Sequence, residues 1–536
     1  MESEGKEKHI RNTLSVCPEC LKLLSAEVFE RDGKVWIRKS CPEHGKFEDL
    51  YWGSYEMYKR AEKFARDGRG LKNPQIEKEN PVCPFDCGLC KKHKSHTALA
   101  NIAVTNRCDL TCWYCFYFAK RMGYVYEPTL GMIREMLSKL RSERPVPCNA
   151  VQLTGGNPEL REDLIEIIKM CKEEGFDHVQ LNINGTYKLW RDIKWTKAIK
   201  SAGVNTIYLS FDGVTPKTNP KNHWEVPMAL ENCRKAGLGV VLVPTLIKGV
   251  NDHELGDMIR FGFKNNDVIR GVNIQPVSLV GRMPRKERNK YRITIPDVIQ
   301  RIEEQTNGEI AKEDFYPVPS VMPVTNFVEA LTGKAEYALS AHFACGMATY
   351  VFNDNGKMFP VTRFIDVEGL LEYLDVLGNE IKAGKRNKYI SSIRLLFKLD
   401  SFIDREKAPK GFSIKKMLFN ALVRHNYRAL GAFHKSSLFI GMMHFQDLYN
   451  YDVERVKRCV IHYAIPEGKI VPFCAFNVIP DRYRESSQEK YGIKIPEWEK
   501  KTGKKLNEDL YKRDIKALEK SPLYKKTYKG FLKKKR

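Results

Sequence analysis

The sequence predicts an α/β protein built on a partial, TIM-like (βα)6 barrel, preceded by a small N-terminal ribbon and followed by a C-terminal α+β domain. Three observations carry that reading. Six β-rich runs alternate with helical stretches between about residues 100 and 310. Paired cysteine knuckles bracket a hairpin near the start, and more cysteines recur beside hairpin-like units after the barrel. At 536 residues the chain exceeds one domain. It divides into a ribbon at 1–80, a short cysteine-rich segment at 81–99, the barrel at 100–315, the α+β domain with a helical insert at 316–480, and a basic helical tail at 481–536.

The ribbon opens with VCPEC, continues through the alternating stretch EVFERDGKVWIRKS with its Asp-Gly turn, and closes with CPEHGKF. Two knuckles facing each other across a hairpin are the layout of a zinc-ribbon or rubredoxin-like site, so Cys17, Cys20, Cys41 and His44 are expected to hold one tetrahedral Fe or Zn ion. Ligand types leave Fe and Zn open, and four protein ligands make the role structural. The next segment, PVCPFDCGLCKKHKSHT, places Cys83, Cys87 and Cys90 at C-x3-C-x2-C spacing. Three such thiols wrap one corner of an iron–sulfur cluster and leave its fourth iron to another residue, with a second zinc site as the competing reading. His93 and His96 are expected at the surface.

The barrel strands are NIAVTN, NAVQLTGG, HVQLNING, TIYLSFDG, GVVLVPTL and GVNIQPV, joined by helical stretches such as REDLIEIIKMCKEEG and PMALENCRKAG. In a barrel of this kind chemistry sits at the C-terminal strand ends, and each polar or glycine-rich signature of the region falls at such an end. The loop after the first strand reads VTNRCDLTCWYCFYF. Cys108, Cys112 and Cys115 repeat the C-x3-C-x2-C spacing, which binds three irons of a 4Fe–4S cluster and leaves the fourth open.

Here the sequence resembles the radical S-adenosylmethionine (SAM) superfamily over about residues 100–290. The resemblance implies that SAM binds the open iron and that an electron from the cluster cleaves it to a 5′-deoxyadenosyl radical. Its SAM contacts are expected from Tyr114, from Gly155, Gly156 and Asn157 in LTGGNPEL, from Asn182 and Asn184, from Ser210 and Asp212, and from Gln275. Asn157 departs from the family, which usually has Glu there. The segment TPKTNPKNHWEVPMAL also lacks the expected Tyr/Arg-Gly pattern.

Longer stretches, among them CGLCKKHKSHT, VLVPTLIKGVNDHE, RGVNIQPVSLVGR and RCVIHYAIPEGKIVPFCAFN, resemble the archaeal tetraether lipid synthase group. That resemblance implies C–C bond formation between isoprenoid chains of ether lipids, one or two auxiliary 4Fe–4S clusters, a lipid partner and an electron donor such as ferredoxin or flavodoxin. Cys345, Cys459 and Cys474 are the expected auxiliary ligands, although one of them could instead complete the Cys83, Cys87, Cys90 group. An apolar insert at 385–440, read as helical through FHKSSLFIGMMHF, is expected to line a lipid tunnel or touch a membrane surface. The alternatives are methylation of a pterin precursor such as 7,8-dihydro-6-hydroxymethylpterin, or peptide or RNA modification by a SPASM-type enzyme.

Composition sets the remaining bounds. The net charge of +24 suits an anionic surface, or simply a solvated Lys- and Glu-rich one, and no nucleic-acid partner is expected. The start, MESEGKEKHIRN, has no apolar signal region, so a cytoplasmic location is expected. In that compartment the 15 cysteines read as metal ligands rather than disulfides, except Cys148, Cys171 and Cys233, which read as small buried hydrophobes.

Overall fold

The structure, a computed structural model, describes residues 6–115, 119–280, 283, 285–354, 356–409 and 437–532. The ribbon is a four-stranded antiparallel sheet of β1 (Lys8–Val16), β2 (Leu23–Arg31), β3 (Lys34–Cys41) and β4 (Gly45–Trp52) in sequential order. Asp32 and Gly33 close the β2–β3 hairpin with both φ angles positive, at 52° and 71°. A two-residue turn of that hand matches the strand twist, which is why Asp-Gly is favoured there. The sheet is tied to the body through Asp452. Its carboxylate accepts from Arg11 at 2.6 Å, Thr13 at 2.7 Å and Tyr51 at 2.7 Å.

All six expected barrel strands form: β5 (Leu99–Thr105), β6 (Ala150–Gly155), β7 (His178–Ile183), β8 (Thr206–Ser210), β9 (Gly239–Val243) and β10 (Ile269–Pro276), each parallel to its neighbour. Buried apolar residues such as Val151, Leu153, Leu181, Ile207, Leu209, Val272 and Ile274 alternate along them with polar residues such as Gln152, Asn182 and Asn273 that line a cavity. Helix α1 (Leu164–Glu173) buries Cys171, and α2 (Val226–Ala236) buries Cys233. Cys148 is equally inaccessible, so all three behave as the small core residues expected.

The C-terminal region departs from the expectation in one instructive way. SLFIGMM, read as the end of a helical insert, is a strand, β12 (Ser437–Met443). It pairs parallel with β10 on one side and antiparallel with β11 (Gly346–Asp354) on the other. An unbroken apolar run of seven residues suits a doubly covered strand as well as a helix, and here the sheet edge decides. On the opposite edge β13 (Ile461–Ile465) runs parallel to β5 and turns into β14 (Lys469–Pro472). Of the insert, ISSIRLLFK forms α3 (Lys388–Lys398), whereas FSIKKMLFNALV lies outside the described residues. Among the described residues no helix is long and apolar enough to cross a membrane.

Candidate active site at the barrel mouth

The C-terminal strand ends surround a cavity of about 410 Å³. Cys108, Cys112, Cys115, Tyr114, Gly155, Gly156, Asn182, Asn184, Ser210 and Gln275 all line it, so ten of the expected barrel residues meet in one place. Phe439 and Met443 of β12, with Ile461 and Tyr463 of β13, line the same space. The sheet therefore curls until its two outer parallel strands face one another across it. Asn157 and Asp212 stand just behind this lining, and their contacts show why.

The two glycines bring β6 against the cysteine loop. A Cβ on Gly155 would fall 2.0 Å from the Thr105 carbonyl oxygen, and one on Gly156 would fall 2.0 Å from that of Arg107. The Gly156 and Asn157 amides donate to those same carbonyls at 2.8 and 2.7 Å. The Gly-Gly pair thus holds the entry to the cysteine loop by backbone contact. Asn157 is fully buried and donates through Nδ2 to Asp109 at 2.9 Å and to Glu159 at 3.2 Å. Asp109 also accepts from Asn184 at 3.1 Å and Thr186 at 2.5 Å, while Asn184 reaches the Cys108 sulfur at 3.4 Å. Glu159 in turn accepts the amides of Gly185, Lys188 and Leu189, fixing the loop after β7. Asp109 and Glu159 are site residues that the sequence reading missed; a lone acidic residue in each motif gives no spacing signal.

Asp212 faces a third missed residue, Lys221. Lys221 is buried with its ammonium 2.8 Å from Asp212 and 3.3 Å from the Ser210 hydroxyl, and it lies over the Tyr114 ring. Tyr114 donates its hydroxyl to Asp212. Burial opposes the charge on Lys221, but Asp212 and then Cys112 outweigh it, so the ammonium is held above its ordinary range and stays protonated. Lys221 and Asn222 belong to the TPKTNPKNHW segment. Asn222 donates to the Asn184 and Ser210 carbonyls at 2.6 Å each, so this departure from the family pattern builds the site wall.

The basic tail, in which no site was recognisable, clamps the cysteine loop from outside. Arg107 forms a two-point bond to Asp509 at 2.6 and 2.8 Å and sits over Trp498, and the Tyr511 amide donates to the Asp109 carbonyl. Burial pushes the Cys108 and Cys112 thiols up, Cys112 to about 12. Bound iron would reverse that effect by stabilising the thiolates, so three half-buried thiols from one loop fit a cluster site.

The other cysteines fall into three groups. Cys17, Cys20, Cys41 and His44 have ligand atoms all within 4.8 Å of one another, the spacing a tetrahedral metal needs. The hydrogen bond from His44 draws the Cys41 thiol down to about 6. Cys83, Cys87 and Cys90 surround a small pocket closed by Val456 and Pro472. Cys345 and Cys474 lie beside Arg455, and Cys459 is within electrostatic reach of both thiols. His93 and His96 are buried, contrary to the expectation: His93 bonds the Cys459 carbonyl at 2.9 Å, and His96 accepts the Ala338 amide at 2.9 Å.

Fold and site together define a radical SAM enzyme, whose cofactors are a 4Fe–4S cluster and SAM, with a further metal in the ribbon. The radical SAM superfamily profile matches residues 102–262, and that of the HMPTM N-terminal zinc ribbon domain matches residues 9–53. A 7,8-dihydro-6-hydroxymethylpterin dimethyltransferase of Methanocaldococcus jannaschii is 48% identical over 500 residues, covering 91% of this chain and 97% of its own. The chain belongs to the family of that dimethyltransferase. A GTP 3′,8-cyclase of Aquifex aeolicus is 34% identical over 171 residues, or 31% of this chain and 52% of that one. Among solved structures, native anSMEcpe with bound AdoMet has a TM-score of 0.32 at 13% identity and covers 63% of this chain and 98% of its own.

The near full-length match overturns the reading of this chain as a lipid C–C coupling enzyme with an ether-lipid partner. The cavity gives the physical reason. Its wall includes Phe439 and Met443 from SLFIGMM, which forms a strand of the central sheet and not part of the apolar helical insert that was to line a lipid tunnel.

Proposed function

We propose that the chain is a radical SAM methyltransferase acting on a reduced pterin of the 7,8-dihydro-6-hydroxymethylpterin type. The observation that carries this reading is the 48% identity to such a dimethyltransferase across nearly the whole of both chains. The cavity agrees with it. Tyr208, Phe439, Phe445, Tyr463 and Phe473 offer flat surfaces, and Asn273 and Gln275 offer amide donors and acceptors, a combination suited to a planar heterocycle edged with N–H and carbonyl groups.

In this reading Cys108, Cys112 and Cys115 hold the cluster, which with SAM supplies the 5′-deoxyadenosyl radical. Lys221, poised by Asp212 and Tyr114, faces the carboxylate of SAM, while Asn182, Asn184 and Ser210 meet its other polar groups. The amide wall orients the pterin, and the aromatic floor excludes water from it. Cys17, Cys20, Cys41 and His44 hold the ribbon's Fe or Zn. The two remaining cysteine groups hold auxiliary clusters, and the reductant is a ferredoxin- or flavodoxin-type donor.

The test is anaerobic incubation of the reconstituted enzyme with reductant, 7,8-dihydro-6-hydroxymethylpterin and SAM, with a cell extract added in a second arm to supply any other methyl donor. One or two methyl groups gained by the pterin, by mass spectrometry, together with deoxyadenosine, are expected. Deoxyadenosine with an unmodified pterin in both arms overturns the proposal.

A further inference from the structure

The buried space around Cys345, Cys459 and Cys474 holds polar atoms with nothing to bond. His444 is 1% exposed, and neither of its ring nitrogens has a hydrogen-bond partner; among the described buried histidines it is the one left so at both positions. Nη1 of Arg455, also 1% exposed, is likewise unpartnered. Two orphaned groups this deep are expensive unless a ligand satisfies them.

Their position says which ligand. The β11–β12 register, Gly346 opposite Met443, continues one step to put Cys345 opposite His444, and the His444 amide donates to the Cys345 carbonyl at 2.9 Å. Directly opposed residues of an antiparallel pair point to one face with Cβ atoms about 5 Å apart. Met443 and Phe445 line the barrel cavity, so alternation turns His444 to the other side. Two residues on, the Gln446 amide reaches the Cys474 sulfur at 3.5 Å. Arg455 joins the set, with Nε 3.3 Å from the Cys345 sulfur and Nη2 2.5 Å from the His444 carbonyl. Cys459 lies within electrostatic reach of both other thiols.

We propose that His444 is the fourth ligand of the iron–sulfur cluster held by Cys345, Cys459 and Cys474, making it a three-cysteine, one-histidine site. This rests on the reading that those cysteines bind an auxiliary cluster. A neutral imidazole in place of a fourth thiolate leaves the cluster one charge less negative, and Arg455 offsets another. Histidine ligation raises the potential of iron–sulfur centres. The site is therefore the more easily reduced auxiliary cluster, suited to relay electrons and closed to substrate.

The test uses the full chain carrying Cys108→Ala, Cys112→Ala and Cys115→Ala, reduced without SAM, with histidine either at natural abundance or labelled with 15N. Pulsed EPR is expected to show a strongly coupled histidine nitrogen that changes with the label. His444→Cys, which keeps a ligand, should retain the iron, lose that coupling and move the midpoint potential to a more negative value. His444→Leu should lose the coupling and some iron. If His444→Leu fails to fold, the labelled parent and His444→Cys decide. No strongly coupled histidine nitrogen, or one unchanged in His444→Cys, overturns the assignment. Cys459→Ala tests the underlying reading separately: retention of all iron there shows that these cysteines hold no cluster, whatever His444 does.

Discussion

Asn157 stands where the superfamily usually has Glu, and its surroundings predict what a carboxylate there would do. Its Nδ2 is the donor between two buried acids, Asp109 at 2.9 Å and Glu159 at 3.2 Å. Burial, and then Asp109, already raise the Glu159 carboxyl above the usual range. Asn157→Asp keeps the shape, removes both donated bonds and adds a third acid. Bonds to charged groups contribute about 1.5–3 kcal/mol each, so two set a floor near ~3 kcal/mol, and an unpaired buried charge extends the range to about 3–5. The introduced acid has a folded pKa above its unfolded value of about 3.9. Its penalty is thus absent below that value, grows as pH rises to the folded pKa and is constant above it. The assay is the thermal midpoint of the reconstituted full-length chain beside wild type. A unit of barrel size shifts by roughly 2–4 °C per kcal/mol, which gives a loss on the order of 10 °C at pH 8 and a smaller one at pH 6. A midpoint within about 2 °C of wild type at pH 8, with full iron content, would refute the role given to Asn157.

Two further outcomes follow from buried charges. Lys221→Met should weaken SAM binding by at least about tenfold in anaerobic equilibrium measurements, or about 1.4 kcal/mol, with Lys221→Arg recovering part of it; an unchanged affinity would remove Lys221 from the SAM site. Burial raises the Glu143 carboxyl to about 7, although the Thr97 hydroxyl and amide, at 2.5 and 3.1 Å, favour its ionised form. Because the folded value exceeds the unfolded one, the wild type should lose stability relative to Glu143→Gln as pH rises from about 4.5 to about 7. The loss should total about 3 kcal/mol and level off above that. Parallel unfolding curves for the two proteins across that range would show that Glu143 does not titrate as described.

The six barrel strands were legible because each is a short apolar run ending in a polar or glycine-rich signature, and the cysteine loop was legible because thiol spacing is set by cluster geometry. The ribbon was legible for the same reason. What stayed hidden has a common cause. Asp109 meets Asn184 75 residues on, Glu159 meets Gly185 26 residues on, and Lys221 meets Asp212 across a loop, and none of these separations is a motif, so no local pattern marks them. The tail's hold on the cysteine loop, from Arg107 to Asp509, spans some 400 residues and looks in sequence like ordinary surface charge. Asn157 was legible as a departure, but its meaning depended on the two acids that surround it.

The misread strand at 437–443 carries the larger lesson about function. A run such as SLFIGMM satisfies helical and extended patterns alike, and only its neighbours in the sheet select one. As a helix it would have walled a tunnel for long chains. As a strand it has two faces. Phe439 and Met443 enter the cavity, and the register carried past its end sends His444 the other way, toward Cys345. Just past β14 both roles recur at the start of the helix Phe473–Val478, where Phe473 lines the cavity and the Cys474 sulfur accepts the Gln446 amide. The cavity wall and these cysteines therefore belong to the same short segments. A substitution that shifts either edge strand to enlarge the cavity must move the cysteine group as well. Specificity and electron supply should consequently prove hard to alter independently, and a Phe473→Ala variant that accepts bulkier pterins should also change the auxiliary EPR signal.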